Sequence, residues 1–319
     1  MKKHLIAAAV AAAVAVPAMA QNVSIYGTAD VSLTRTDTAG GVTTNIIDNG
    51  RFATSVFGLR GSEDLGGGIK AEFQLEGAMN FNTGVLGAAG GAVFGREAWV
   101  GLSSAKMGSI RFGKTDVSAA QGVDGVISVA GNMSDFTGDL ASAVDQDDVV
   151  RYTSPNINGF TFDIGQAFTS TATAKGTTDT TGFSIRYVAG PLDLRAGRID
   201  TDVAGAIKNS QNAVGGSYNA GFATIGLARN KVKSATANTA HTETGVSISV
   251  PLGGGLTALA ALTDMDRVTA DANDPKQTIV GVRKELSKRT SVYGVYLDTN
   301  NSDSTADKKE YLFGVTHTF

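Results

Sequence analysis

The sequence predicts an all-β protein, a transmembrane antiparallel barrel of 16 strands with short turns on one rim and long loops on the other. Three observations carry this expectation. Hydrophobicity alternates with period two along most of the chain, connections alternate between short and long, and the N-terminus reads as an export leader.

The leader comes first. Met1-Lys2-Lys3-His4 is a basic start, an Ala/Val run extends to Val16, and Pro17-Ala18-Met19-Ala20 ends in small residues. That is the layout of a secretory signal peptide over residues 1–20, cleaved before Gln21 and leaving one barrel domain over residues 21–319. A membrane anchor would need roughly 20 apolar residues, and this run is shorter. The chain has no cysteine, which removes disulfide scaffolds, Cys-ligated metal sites and thiol catalysis. A formal net charge of −3 without clustered Lys or Arg gives no reason to expect a nucleic-acid partner.

The strands follow in order. In the first, Val23, Ile25, Ala29, Val31 and Leu33 share one face, opposite Ser24, Tyr26, Thr28, Asp30, Ser32 and Thr34. Further on, Ile69, Ala71, Phe73, Leu75 and Met79 oppose Lys70, Glu72, Gln74 and Glu76. Segments bounded by turn residues predict strands near 22–36, 51–62, 69–81, 96–104, 109–115, 147–154, 160–170, 179–188, 192–200, 213–219, 222–230, 243–250, 255–264, 277–286, 290–298 and 310–319. The short connections, such as Leu65-Gly66-Gly67-Gly68 and Pro251-Leu252-Gly253-Gly254, alternate with long polar ones such as 37–50, 201–212 and 265–276. A soluble sandwich would alternate too, but short periplasmic turns opposed to long extracellular loops are the mark of an outer-membrane barrel. An even strand number puts both ends of the barrel with the short turns. The last strand aligns Tyr311, Phe313, Val315, His317 and Phe319 on one face, which places rings at the lipid boundary.

Several stretches resemble the general porins of Gram-negative outer membranes, in particular their betaproteobacterial branch. They are Val23-Ser24-Ile25-Tyr26-Gly27-Thr28-Ala29-Asp30, the run from Phe57 to Ala71, Gly95-Arg96-Glu97-Ala98-Trp99-Val100-Gly101-Leu102, Val150-Arg151-Tyr152-Thr153-Ser154-Pro155, and Leu286-Ser287-Lys288-Arg289-Thr290 with Tyr293 and Tyr296. The resemblance implies a homotrimer, passive diffusion of small hydrophilic solutes and ions, and a third loop folded into the pore. Such a protein would sit among outer-membrane lipid and lipopolysaccharide.

The third loop also stands out from the residues themselves. Between Lys114 and Arg151 lie seven acids, Asp116, Asp124, Asp135, Asp139, Asp145, Asp147 and Asp148, and no Lys or Arg. A connection this long is usually functional. Folded inward over about 116–146, it would narrow the channel and set carboxylates against a basic wall, a transverse field that biases ion flow. Alternation turns Arg60 and Lys70 inward, Arg151 matches the family's basic position, and Arg96 and Lys114 are further wall candidates. Asp116, Asp124, Asp135 and Asp139 are the candidates on the loop. An inward Arg96 on a regular strand sends Trp99 outward; it is preferred because an arginine facing mid-membrane lipid costs about 2–4 kcal/mol. Relatives commonly carry Ser-Arg where this chain has Ser55-Val56. The lost base and the acidic loop predict a weak lean toward cations.

Signals for enzymes are poor. Gly108-Ser109-Ile110-Arg111-Phe112-Gly113-Lys114-Thr115 fits the phosphate-loop pattern letter for letter, yet its middle alternates like a strand and no helix follows. Beyond the leader only His241, expected in a loop, and His317, expected on the last strand, remain, and neither belongs to a zinc motif. No cofactor, metal or catalytic residue is expected. The alternative is an outer-membrane barrel hydrolase, a protease or lipase, which would depend on His241; a soluble β-sandwich adhesin is a third class.

Overall fold

The computed structural model describes residues 22–87, 91–135, 145–168, 179–202, 208–234, 240–267, 274–301 and 307–319, so the expected leader lies outside the described residues. The first half of the sheet comprises β1 (Asn22–Thr38), β2 (Thr43–Asn49), β3 (Val56–Gly66), β4 (Ile69–Asn80), β5 (Val85–Leu86), β6 (Glu97–Ser104), β7 (Gly108–Thr115), β8 (Gln146–Thr153) and β9 (Phe160–Ala167). The second half comprises β10 (Thr180–Ala189), β11 (Leu192–Thr201), β12 (Asn209–Asn219), β13 (Thr224–Lys233), β14 (His241–Gly253), β15 (Leu256–Arg267), β16 (Lys276–Glu285), β17 (Thr290–Asn300) and β18 (Lys308–Thr318).

Successive strands pair antiparallel, and β1 closes on β18 from Thr28↔Thr318 to Thr38↔Lys308. Two segments add no position to the ring. β2 and β3 share one edge of β1, the former opposite Val31–Asp37 and the latter opposite Asn22–Thr28. β5 pairs only with the end of β4. The result is a closed barrel of 16 strands. Closure is what lipid demands, since an open edge would leave backbone N–H and C=O groups unpaired in hydrocarbon.

Alternation sorts the side chains as expected. Asp30, Ser32 and Thr34 are buried inside, while Val23, Ile25 and Leu33 are exposed outside. On β18, Tyr311, Phe313 and Val315 point out, whereas Glu310, Leu312 and Thr316 point in. The short rim is turned by glycine where no other residue would be comfortable: Gly66, Gly67 and Gly68 have φ of +82°, +63° and +79°.

The second strand departs from expectation. It does not begin at residue 51. The run Thr43-Thr44-Asn45-Ile46-Ile47, expected as loop, is β-prone and pairs with β1. Residues 50–55 then leave the ladder, and pairing resumes at Val56.

Candidate functional site

The connection from β7 to β8 enters the barrel and lies on its inner wall along a diagonal of glycines. Gly165 on β9 and Gly182 on β10 face each other, and Gly197, Gly215 and Gly226 on β11, β12 and β13 step two residues per strand toward the short-turn rim. Each makes room for the loop. A Cβ would lie 2.1 Å from the Val117 carbonyl at Gly165, 2.7 Å from Ser118 Oγ at Gly182, and 2.4 Å from Ala120 Cβ at Gly197. At Gly215 it would meet Val126 Cγ2 at 2.9 Å, and at Gly226 the Val126 carbonyl at 1.9 Å. Along this track the loop winds into a 3-10 helix, Gln121–Val126, whose Gly122 carbonyl accepts a hydrogen bond from Arg195 Nη1 at 2.6 Å.

The underside of the loop is apolar. Val117 and Ala120 pack with Val149, Ala167, Ile199 and Val232, and Val126 and Ile127 with Ala228. Full burial of a Val or Ile side chain contributes about 1.5–3 kcal/mol. The loop therefore covers what would otherwise be an oily strip of lumen, which explains inward apolar residues in a barrel expected to be wet inside.

The tip is held by the inward detour at 50–55. Phe52 stacks on Tyr293 with ring centroids 4.9 Å apart and packs with Ala130 and Met133 of the loop. Asn132 donates from its backbone to the Phe52 carbonyl (3.2 Å) and from Nδ2 to the Gly50 carbonyl (2.9 Å) and Thr54 Oγ1 (3.1 Å). Beneath it lies Asp30, fully buried on β1. Its carboxylate accepts from the Phe52 N–H (2.9 Å), the Tyr293 hydroxyl (3.1 Å) and the Thr316 hydroxyl (2.5 Å), and Ser55 Oγ takes the Asp30 N–H that the interrupted ladder leaves over (3.0 Å). A buried carboxylate needs such a set of donors.

The candidate residues separate into those that reach the passage and those that do not. Arg60 is on the lumen wall, its guanidinium 4.9 Å from the Tyr26 ring centre. Arg151 is inward and pairs with buried Asp163 at 3.3 Å; Asp163 also accepts from Ser184 Oγ and from the Ala119 N–H of the loop, both at 2.9 Å. Arg96 binds Glu76 at 2.9 Å and approaches Asp145 at 3.8 Å. It does so without turning Trp99 outward, contrary to the parity argument. Arg96 precedes β6 and is free of its pleat, so Trp99 faces in beneath Arg111 (4.3 Å) while Val100 and Leu102 face the lipid. Lys70 is exposed at the short-turn end of β4, away from the loop.

Lys114 is a correction. It lies opposite Ala98 on the outward face, and its ammonium binds Asp147 Oδ1 (2.8 Å) and the Asp145 carbonyl. The chain is irregular there, with Gly113 at φ +136° and a register shift before Thr115, which spacing does not reveal.

The loop carboxylates are largely engaged within the loop. Asp116 accepts the Asp145 N–H at 3.0 Å, tying the loop's two ends together. Asp124 is buried in the 3-10 turn. Asp135 accepts from the Ser128 hydroxyl, and burial pushes its carboxyl above the usual range although that hydroxyl pulls it down. Asp139 lies outside the described residues.

Sequence reasoning missed Arg111, Asp30, Phe52 and Asp163. Arg60, Arg111, Trp99, Glu72, Gln74 and Ser62 line a recess of about 360 Å³ on the lumen wall. Among the described residues neither Arg60 nor Arg111 has a carboxylate within 4.0 Å; each lies over an aromatic ring instead. Arg111 was hidden inside the phosphate-loop pattern. Those residues form β7, a sheet strand, so they make no phosphate cradle. His241 also moves: it begins β14, buried beside Glu243 at 3.7 Å, where a loop was expected. His317 is on the last strand as expected, its Nδ1 2.9 Å from Thr290 Oγ1.

Comparison with known proteins agrees with this geometry. A profile of Gram-negative porins matches residues 7–304. Outer membrane porin protein 32 of Delftia acidovorans is 33% identical over 96% of this chain and 91% of its own length. An outer membrane porin protein of Bordetella pertussis is 27% identical over 100% of this chain and 90% of its own. Among solved structures, the anion-selective porin from Comamonas acidovorans superposes with a TM-score of 0.79 at 25% identity, over 94% of this chain and 100% of that one.

Proposed function

Because this chain belongs to the Gram-negative porin family and to the outer membrane, we propose that it is a passive channel for small hydrophilic solutes and ions, constricted by the loop at 116–145 and weakly selective for anions. Residues 1–20 are its export signal, and Arg60, Arg96, Arg111 and Arg151 are the bases that solutes meet. This reading departs from the lean toward cations expected from the loop acids. Asp124 is buried, Asp116 and Asp135 accept hydrogen bonds within the loop, and Asp145 faces Arg96. Arg60 and Arg111, without ion-pair partners among the described residues, carry the reading; Glu72 in the same recess keeps the preference weak. That a relative of similar fold is named an anion-selective porin supports it.

Reversal potentials across a potassium chloride gradient test the proposal. Wild type is expected to favour chloride slightly, and Arg60→Gln/Arg111→Gln to shift the potential toward potassium. A potassium preference in wild type refutes the selectivity; absence of stepwise conductance refutes the channel. The barrel also serves as one unit of a homotrimer in this proposal. The excursion between β4 and β6 exposes Phe81, Val85, Leu86 and Val93, an apolar surface suited to a neighbouring copy. Gel migration before and after boiling reads the assembly.

A further inference from the structure

The inserted loop lies along β9 to β13, and the inner wall on β3, β4, β6 and β7 carries a different set of side chains. Two cross-strand rows meet there. Arg60, Gln74 and Trp99 form one, and Ser62, Glu72, Gly101 and Arg111 form the next toward the short-turn rim. Glu72 and Arg111 thus stand two strands apart, about 10 Å between backbones. Gly101 places no side chain between them. Arg60 is the diagonal neighbour of Glu72, and all three charged groups open into the recess of about 360 Å³.

Elsewhere on the inner wall acids and bases are joined: Arg96 to Glu76 at 2.9 Å, Arg151 to Asp163 at 3.3 Å and Arg195 to Asp193 at 2.8 Å. In the recess they are held apart. Arg60 lies over the Tyr26 ring at 4.9 Å and Arg111 over the Trp99 ring at 4.3 Å. A ring occupies one face of a guanidinium and leaves its in-plane fork of N–H donors unspent, and that fork matches a carboxylate. Among the described residues Glu72 forms no ion pair, so an acceptor for a cation stands beside the two forks. A solute with one carboxylate and one ammonium answers all three groups at once. A lone carboxylate leaves Glu72 unanswered, and a dicarboxylate brings a like charge against it. The volume is at the small end of the range for ligand pockets, about 300–1,000 Å³, which limits the solute to a small molecule.

We infer that this recess is a binding subsite for small α-amino acids in transit, the carboxylate held by Arg60 and Arg111 and the ammonium by Glu72. The inference rests on the reading of the barrel as a channel and adds a saturable step to it. Tyr26 and Trp99 act as positioning residues, holding the two bases from behind without neutralising them.

The test is single-channel recording on the full barrel in potassium chloride at neutral pH, with L-alanine, propionate or succinate added. Alanine is expected to lower the current along a saturating curve, with half its effect at a concentration about tenfold below that of propionate or succinate. Glu72→Gln should remove this advantage and bring alanine and propionate within about twofold of each other. Arg60→Gln/Arg111→Gln should weaken the effect of alanine at least about tenfold. Lys276→Gln, which alters a base paired with Asp264 on the outer surface, should leave every curve unaltered. Should the double variant not assemble, Arg60→Gln replaces it, with about threefold expected. A response to alanine that does not saturate, or propionate or succinate acting as strongly as alanine on wild type, overturns the subsite while leaving the channel standing. Absence of stepwise conductance before any solute is added overturns the channel itself, so the two failures are distinct.

Discussion

Substituting Gly226 by alanine isolates what the glycine diagonal does. The position lies within β13 and its φ is not in the left-handed region, so alanine suits the backbone and on propensity grounds would be neutral or favourable. The nearest obstacle is the loop; Ser247 Oγ on β14, at 2.9 Å, can rotate aside. A methyl group there would be 1.9 Å from the Val126 carbonyl, and ordinary contact begins at 3.4 Å, so the loop has to withdraw by about 1.5 Å. Overpacking of this kind costs about 1–3 kcal/mol, which weakens docking about 5- to 150-fold. Gly294→Ala on β17 is the control, because a Cβ there meets nothing within 4 Å. In planar bilayers Gly226→Ala should change single-channel conductance and broaden its distribution, while Gly294→Ala reproduces wild type; both should resist heat on gels as wild type does. If Gly226→Ala conducts like the control, the wall does not place the loop and the argument from the track is wrong.

Two further outcomes follow from the tip and the loop. Tyr293→Phe removes one of three donors from buried Asp30 and should cost about 1–3 kcal/mol, and Asp30→Ala, which strands three buried donors, should cost more; the temperature at which the barrel unfolds on gels orders them, and equal temperatures would contradict the anchor. Burial raises the Asp135 carboxyl, so docking takes up a proton and is favoured as pH falls through that raised value and disfavoured as it rises above it; conductance noise should therefore grow with pH in wild type and flatten in Asp135→Asn, and an unchanged pH profile would count against it.

The barrel was legible in the sequence because its signals are local. Period-two alternation and glycine-rich turns depend on neighbouring residues alone, and they placed the ring and the lipid face of β18 correctly. The wall was less legible because facing depends on where each ladder starts and slips. Arg96 reaches the lumen from outside β6, and an irregularity near Gly113 accompanies the outward turn of Lys114; neither is visible in spacing. Asp30 was read as inward, but its three donors come from three distant segments. Gly165, Gly182, Gly197, Gly215 and Gly226 lie on five separate strands, and only the register between those strands reveals that they form a line.

The anchor at Asp30 draws its parts from both ends of the chain: the first strand, the last two, the detour beside β1, and the loop tip that rests upon it. Two of the three donors to Asp30, the Tyr293 and Thr316 hydroxyls, reach it only across the seam between β1 and β18. A ring still gaping at that seam would therefore leave Asp30 with a single donor, the Phe52 N–H, and the loop tip resting on an incomplete footing.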